Sequence, residues 1–173
     1  DLTIIIHDNA LYSLTTGQTC PTTPLGEKTK STPYGNLDNP INPVALAIAS
    51  GATFVARAYS ADLPGLQEII IKAADHQGLS VIDVLQPCNT LNKDYTNQYF
   101  QANCYKLDQN YDVKNKVEAF KKSLEWGEKQ IPLGIIYQEE KPSYESQIIQ
   151  IKEKPLIEIP LDRNLEDLFK KYT

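Results

Sequence analysis

Short apolar runs alternate with amphipathic segments along the first half of the chain. Three runs rich in Ile, Val, Phe and Leu predict strands, at residues 2–7, 53–58 and 79–85. Continuous runs of this kind are typical of parallel strands that are buried on both faces. The segment 15–42 is rich in Thr, Pro, Gly, Asn and Ser and predicts a long ordered loop, and such loops are usually functional.

Helices are predicted between these strands. Asn42 is a good N-cap, Pro43 suits the first helical position, and Gly51 ends this first helix. A second amphipathic helix is predicted at about residues 62–78. Strands that alternate with helices favour right-handed crossovers, so the sequence predicts a doubly wound α/β fold with a mostly parallel sheet.

The second half of the chain is more polar. Residues 93–106 predict at most a short helix, and 113–127 predict an amphipathic helix with the apolar side chains Val117, Phe120, Leu124 and Trp126. Residues 131–137 predict an edge strand. The first domain is therefore expected to span 1–137, and the charged residues 138–173 are interpreted as a tail that packs on the subunit or a partner.

Composition narrows the class of protein. The 173 residues carry a net charge of -5, which argues against nucleic acid or an anionic membrane as a main partner. Three widely spaced cysteines do not resemble a secreted disulfide framework, so we expect free thiols or a cluster ligand in a cytoplasmic protein. No apolar stretch predicts a transmembrane helix. The lack of methionine suggests a fragment or a processed product.

Two polar motifs follow predicted strands, at the end of a parallel sheet where ligands bind. After the first strand, the Asn9 amide oxygen and the Leu11 carbonyl can supply two of the oxygen ligands that Mg²⁺ prefers. Alternatively, Asp8 and Asn9 only terminate the strand. After the third strand, Cys88 either ligates an iron–sulfur cluster or is a small buried apolar side chain.

The segment 8–24, with its Asp-Asn pair and its Thr-Gly-Gln run, resembles the thiamine-diphosphate loop of the 2-oxoacid:ferredoxin oxidoreductase beta subunits. Further matches continue in one register to about residue 140, at 26, 29–33, 35–36, 42–47, 51–57, 86–92 and 132–137. The resemblance implies the thiamine-diphosphate-binding fold, of which this chain would be the C-terminal portion without the N-terminal half. The family's Gly-Asp-Gly motif would lie upstream, so the chain alone is expected to be inactive.

The family reaction is the oxidative decarboxylation of a 2-oxoacid, such as pyruvate or 2-oxoglutarate, with coenzyme A. Its products are acyl-CoA, CO2 and reduced ferredoxin. The resemblance therefore implies thiamine diphosphate, Mg²⁺ and a [4Fe–4S] cluster as cofactors, and an alpha subunit and ferredoxin as partners. Two alternatives remain open: a cluster-free thiamine-dependent 2-oxoacid decarboxylase, and a non-catalytic fragment.

The resemblance also implies roles for individual residues. Asn9 would be the side-chain ligand of Mg²⁺ and Leu11 its carbonyl ligand, whereas Cys88 would be the fourth ligand of the cluster. Thr16, where some relatives carry lysine or glycine, and Lys30 would border the 2-oxoacid. The implied cofactor-binding residues are Asp8, Asn9, Leu11, Tyr12, Leu14, Thr15, Gly17 and Gln18. Arg57 is interpreted either as a contact to a partner or coenzyme A, or as part of a surface ion pair.

Overall fold

The computed structural model describes residues 1–151, 153–159 and 165–172. They divide into two compact units, 1–141 and 142–173. The first unit is built on one sheet with the strand order β1-β3-β2-β5-β4. Its strands are β1 (Leu2–Asp8), β2 (Phe54–Tyr59), β3 (Leu79–Leu85), β4 (Cys104–Lys106) and β5 (Ile131–Gln138).

The sheet is mostly parallel, which confirms the predicted fold class. β1 and β2 both pair in parallel with β3, which lies between them, and β4 pairs in parallel with β5. The pairing of β5 with β2 is antiparallel. The prediction that residues 131–137 form an edge strand is wrong, because β5 lies between β2 and β4. The short β4, which the pattern did not predict, occupies that edge instead.

Helices cover both faces of the sheet, as in a doubly wound fold. They are α1 (Pro43–Ala49), α2 (Leu63–Asp75), α3 (Asn97–Asn103) and α4 (Lys116–Ser123). α1 and α4 contact each other and pack on one face, whereas α2 packs on the opposite face of β2 and β3. The predicted cap of α1 is confirmed, because the Asn42 side chain accepts a hydrogen bond from the Ala45 N–H over 3.0 Å.

Two packing predictions are wrong. β1 is an edge strand, so its apolar side chains are not buried on both faces, and Leu2 is 59% exposed. α4 is shorter than its apolar pattern suggests, and its buried positions are the small residues Ala119 and Ser123. The larger side chains expected on its buried face are exposed instead: Val117, Phe120, Leu124 and Trp126. Small residues are required here because α4 lies directly against α1, and Asn42 Nδ2 donates to the Ser123 carbonyl over 2.7 Å.

The second unit consists of short helical segments in its described part. Three 3₁₀ turns precede the helix α5 (Leu165–Tyr172). The turns span Glu145–Gln147, Ile149–Ile151 and Leu156–Glu158. Within the described ranges, neither unit contains a helix with the length and apolar character needed to cross a membrane.

Candidate active site

The turns that follow β1 and β3 are joined at the carboxyl end of the sheet. Asp8 and Leu85 are register partners in the two parallel strands. The backbone N–H of Gln86 donates to the Asp8 carbonyl over 2.8 Å. Beyond the strands, the Asn92 side-chain amide donates to the Asn9 carbonyl over 3.0 Å. The two polar motifs singled out from the sequence therefore lie beside each other.

The Asp8 carboxylate is fixed within the first turn. Its Oδ1 atom accepts hydrogen bonds from the Ala10 N–H over 2.9 Å and from the Thr22 hydroxyl over 2.6 Å. Ala10 is buried and adopts a φ of 59°, in the left-handed region that non-glycine residues rarely occupy. Such conformations cost free energy and are concentrated at functional sites. The strained residue lies in the turn that directly follows β1.

Asn9 and Leu11 lie on this turn, as the magnesium hypothesis requires. The Asn9 Oδ1 atom accepts a hydrogen bond from the Leu11 N–H over 3.1 Å, and its Nδ2 donates to the Ser13 hydroxyl over 2.7 Å. An amide oxygen has two lone pairs, so one remains for a ligand while the other closes the turn. Carboxylate, amide and carbonyl oxygens are the donors that Mg²⁺ prefers, so the chemistry of this turn fits the ion.

The next residues form a tight loop. The Tyr12 N–H donates to the Gln18 carbonyl over 3.0 Å, and the Gly17 N–H donates to the Tyr12 carbonyl over 2.9 Å. The Thr15 hydroxyl adds a hydrogen bond of 2.7 Å to the Gln18 side chain. Gly17 has a φ of 99°, in the left-handed region, so a side chain at this position would strain the backbone. The cofactor-binding residues inferred from the resemblance thus form one compact loop.

The two residues expected to border the substrate are brought together. The Lys30 N–H donates to the carbonyl of Gly17, the residue after Thr16, over 3.0 Å. Thr16 has a φ of 80° and is exposed, and the neighbouring Leu14 is 97% exposed. Three hydroxyls hold the two segments in place at mutual distances of 2.7–2.8 Å, those of Thr19, Thr29 and Thr32.

Cys88 is half-buried and carries a free thiol. Its carbonyl accepts a hydrogen bond from the Asn92 N–H over 3.0 Å, so Asn92 connects the cysteine turn to the Asn9 turn. In the part of the chain that the structure describes, no group of three or more His, Cys, Asp or Glu side chains could hold a metal ion. A [4Fe–4S] cluster needs four ligands, so the Cys88 thiol by itself could not hold one.

A buried ion pair behind this edge was missed by sequence reasoning. Arg57 Nε lies 3.1 Å from Asp83 Oδ2, and the two side chains are 1% and 2% exposed. The interpretation of Arg57 as a surface ion pair is therefore wrong. The sequence does contain a signal for this pair, because a single charged residue interrupts each of the two apolar strands. Side chains alternate between the two faces of a strand, so Arg57 shares a face with Val55, and Asp83 shares that face with Val81.

Burial dominates the electrostatics of Asp83. Desolvation raises the pKa of its carboxyl to about 6, against the opposing effect of the Arg57 charge, while Asp8 adds a smaller increase. The guanidinium also lies against an aromatic ring, with Arg57 Cζ 5.3 Å from the centre of Trp126. The pair faces a cavity of about 370 Å³ that extends to Asp8 and Asn9.

Comparison with known proteins places the chain in a family. Residues 1–84 match the family model described as "Thiamine pyrophosphate enzyme, C-terminal TPP binding domain". Residues 88–153 match the family model for the C-terminal part of the pyruvate ferredoxin oxidoreductase beta chain. A 2-oxoacid:ferredoxin oxidoreductase beta subunit from Saccharolobus solfataricus is 50% identical over 162 residues, covering 87% of this chain and 53% of that protein.

This chain belongs to the 2-oxoacid:ferredoxin oxidoreductase beta-subunit family. A second beta subunit of these oxidoreductases, from Aeropyrum pernix, is 46% identical over 162 residues, which cover 87% of this chain and 51% of that protein. The chain spans about half the length of the curated relatives it matches.

A solved oxidoreductase structure shares the fold. It is the 2-oxoglutarate:ferredoxin oxidoreductase from Magnetococcus marinus, with 2-oxoglutarate, coenzyme A and succinyl-CoA bound. The two chains superpose with a TM-score of 0.87 at 25% sequence identity, and the match covers 99% of this chain and 58% of the other. The family resemblance and the mostly parallel α/β fold inferred from the sequence are both confirmed.

Proposed function

We propose that this chain contributes to the oxidative decarboxylation of a 2-oxoacid with coenzyme A, giving acyl-CoA, CO2 and reduced ferredoxin. The observation that supports this role is the hydrogen bond from Asn92 to the Asn9 carbonyl. It joins a turn rich in oxygen donors to a turn that bears a free thiol, at the carboxyl end of a parallel sheet. The named relatives agree with this reaction class.

In this proposal, the turn after β1 holds Mg²⁺ and the diphosphate of thiamine. Asn9 supplies its amide oxygen and Leu11 its backbone carbonyl, while Asp8 positions the turn by accepting hydrogen bonds from Ala10 and Thr22. When bound, thiamine diphosphate supplies the carbanion chemistry, as its ring accepts electrons from the substrate. The protein's task is then to bind and orient, which agrees with the lack of a Ser-His-Asp arrangement among the sequence motifs.

Cys88 would supply one thiolate to a [4Fe–4S] cluster beside this turn. Its backbone is held by Asn92, which also fixes the carbonyl of Asn9. When bound, such a cluster would supply single-electron chemistry for the reduction of ferredoxin. The proposal also includes an alpha subunit, ferredoxin, and further cluster ligands supplied by other parts of the complex.

The loop that carries Thr16 and Lys30 would border the 2-oxoacid. Both residues are exposed and are connected through Gly17. The Magnetococcus marinus enzyme was solved with 2-oxoglutarate, coenzyme A and succinyl-CoA bound, whereas the Saccharolobus solfataricus and Aeropyrum pernix beta subunits are named for 2-oxoacids in general. We therefore propose a 2-oxoacid of the pyruvate or 2-oxoglutarate type, in a cytoplasmic complex, with residues 138–173 packing on the subunit or a partner.

A chimeric enzyme tests this function. The matching part of the Saccharolobus solfataricus beta subunit is replaced by this chain, and the chimera is assembled anaerobically with its native partner subunit. We expect reduction of ferredoxin that requires pyruvate or 2-oxoglutarate, coenzyme A and thiamine diphosphate. An assembled chimera without such activity would refute the proposal, provided that the native enzyme prepared in parallel is active.

The same chimera separates the alternatives. Cys88→Ala should lower the iron content and abolish the reduction of ferredoxin, whereas Cys104→Ala, at a thiol outside the proposed site, should retain both. A cluster-free decarboxylase would release CO2 equally well with and without Cys88. The family matches already disfavour that reading and the reading as a non-catalytic fragment.

A further inference from the structure

We propose that Asn92 and Thr23 are positioning residues for the Mg²⁺ ligands, because they hold Ala10 in its left-handed conformation. The proposed ligand oxygens, those of the Asn9 amide and the Leu11 carbonyl, belong to the residues on either side of Ala10. Rotation about the backbone of Ala10 therefore sets the distance between these two oxygens. This inference rests on the proposed function, because it concerns the same metal turn.

Ala10 does not favour the conformation that it adopts. Its φ is 59°, where the Cβ atom of an L-residue crowds the following carbonyl oxygen. Glycine has no Cβ and adopts this region without strain. Any other residue stays there only when the surrounding structure requires it. The contacts around Ala10 must therefore stabilise a backbone conformation that alanine by itself would leave.

The peptide group before Ala10 is held at both ends. The Asn9 carbonyl accepts a hydrogen bond from Asn92 Nδ2 over 3.0 Å, and the Ala10 N–H donates to Asp8 Oδ1 over 2.9 Å. Asn92 is buried, and its Oδ1 atom accepts from two backbone N–H groups that follow it in the chain. These two contacts orient the amide, so its donor is directed to Asn9. A flip of this peptide group would break both of its hydrogen bonds.

The peptide group after Ala10 is held in the same way. The Ala10 carbonyl accepts from the Thr23 hydroxyl over 2.7 Å. The Leu11 N–H donates to Asn9 Oδ1 over 3.1 Å. Thr23 is 0% exposed, so solvent does not compete for its hydroxyl. All four polar atoms of the two peptide groups thus have side-chain partners.

Two of these four contacts come from outside the turn. Asp8 and Asn9 belong to the turn itself and could make their hydrogen bonds in any short peptide. The contacts of Thr23 and Asn92 instead join residues 13 and 83 positions apart in the sequence. They form only when the long loop and the turn after β3 are folded against the turn after β1. Thr23 and Asn92 are thus the residues through which the fold imposes the strained conformation.

The conformation of Ala10 can be observed by NMR without any cofactor. A residue with positive φ gives a strong nuclear Overhauser effect between its own amide and α protons, because the two lie close together. We expect this signal for Ala10 in the unmodified chain. Asn92→Asp should weaken it markedly at mildly alkaline pH, because a carboxylate keeps the acceptor atoms of Asn92 but cannot donate to the Asn9 carbonyl.

Asn103→Asp is the matched control for this measurement. Asn103 also connects two backbone segments, because it donates to the Tyr99 carbonyl and accepts from the Lys129 N–H. Its replacement should leave the Ala10 signal strong. An unchanged signal in a folded Asn92→Asp chain would overturn the proposal, as would a weak Ala10 signal in the unmodified chain.

The positioning role is tested on the assembled chimeric enzyme. Calorimetric titration with thiamine diphosphate and Mg²⁺ should show about tenfold weaker binding for Asn92→Asp, because alanine then leaves the disfavoured conformation. Asn103→Asp should bind like the unmodified chimera. Unchanged affinity of a folded Asn92→Asp chimera would refute the positioning role.

The variant Ala10→Gly separates positioning from a general structural role. Glycine adopts a positive φ without strain, so Ala10→Gly alone should bind thiamine diphosphate normally. In its background, Asn92→Asp should weaken binding by no more than about threefold. A residue with only a structural role would weaken binding equally in both backgrounds, and that result would contradict the proposal.

The outcomes distinguish this inference from the proposed function. If the unmodified chimera does not bind thiamine diphosphate with Mg²⁺, the proposed function fails and the positioning role fails with it. If Asn9→Ala weakens binding but Asn92→Asp does not, only the positioning role is refuted. Should Asn92→Asp not fold, Thr23→Val replaces it in all three measurements. It removes the donor to the Ala10 carbonyl, with the same expected and the same refuting results.

Discussion

The side-chain amide of Asn92 donates a hydrogen bond to the backbone carbonyl of Asn9 over 3.0 Å, across 83 residues of sequence. Asn92 is 5% exposed, and its Oδ1 atom also accepts from the N–H groups of Asp94 and Tyr95. The buried Asn92 side chain therefore connects three segments: the proposed magnesium turn, the turn that carries Cys88, and the residues that lead into α3.

Replacement of Asn92 by alanine tests this connection. Asn92→Ala leaves the Asn9 carbonyl and two backbone N–H groups without their partner, so the free energy of unfolding should fall by about 1–3 kcal/mol. Urea unfolding followed by circular dichroism measures the loss. Asn110→Ala, at an exposed residue, is the matched control and should leave stability unchanged. An equal stability of the two variants would show that the connection is energetically unimportant.

The buried ion pair predicts a non-additive pair of substitutions. Arg57→Met leaves the Asp83 carboxylate buried without a counter-charge and should cost about 3–5 kcal/mol. The double variant Arg57→Met with Asp83→Leu removes both charges and should recover most of that loss. A double-mutant cycle by urea unfolding measures the coupling. Simple addition of the two single effects would contradict the pairing seen in the structure.

Stability should also depend on pH through Asp83. Burial raises the pKa of its carboxyl to about 6 in the folded state, above the ordinary value of 3.8. Its contribution to stability is therefore fully present below about pH 4 and is lost as the pH rises through 6.

Relative to Asp83→Asn, the unmodified chain should gain up to about 3 kcal/mol between pH 7 and pH 4. The comparison with the variant cancels the pH-dependent contributions that the two chains share. Unfolding curves at several pH values provide the measurement. A difference that stays constant over this range would mean that Asp83 is ionised throughout.

Two glycines with positive φ should respond differently to alanine. A Cβ at Gly78, where φ is 128°, would overlap the Thr53 hydroxyl, which is 2.8 Å from His76 Nε2. A Cβ at Gly51, where φ is 91°, meets no atom within 4 Å. Gly51→Ala should therefore cost about 1 kcal/mol through backbone strain alone, and Gly78→Ala about 2–4 kcal/mol. Equal losses in thermal or urea unfolding would show that the overlap is relieved without cost.

The sequence predicted correctly those helices and strands whose ends and apolar character depend on residues close together in the chain. The cap at Asn42, the stop at Gly51 and the apolar run 79–85 each depend on neighbouring residues, and the structure places α1 and β3 accordingly. The resemblance to the oxidoreductase family rested on consecutive motifs, and the family matches confirm it. The clustering of the loop residues 12–18 could be expected for the same reason.

Features that depend on distant partners were not predictable in this way. The place of β5 inside the sheet is set by pairing with β2, 75 or more residues earlier in the chain, and no local pattern records it. The apolar residues of α4 did not predict which face of the helix is exposed. The buried face lies close to α1 and carries the small residues Ala119 and Ser123, so the larger apolar side chains lie on the other side. The Arg57–Asp83 pair is a partial exception. The lone charge in each strand, and the face on which it lies, could be predicted, but the adjacency of β2 and β3 is a property of the whole sheet.

Calorimetric titration of thiamine diphosphate in the presence of Mg²⁺ tests the central claim most directly, on the assembled chimeric enzyme. Asn9→Ala removes the proposed side-chain ligand and should weaken Mg²⁺-dependent binding by at least about tenfold. Asn110→Ala, far along the chain from the proposed turn, should bind like the unmodified chimera. If a folded Asn9→Ala chimera binds thiamine diphosphate and Mg²⁺ with unchanged affinity, the turn after β1 is not the metal site and the account is contradicted.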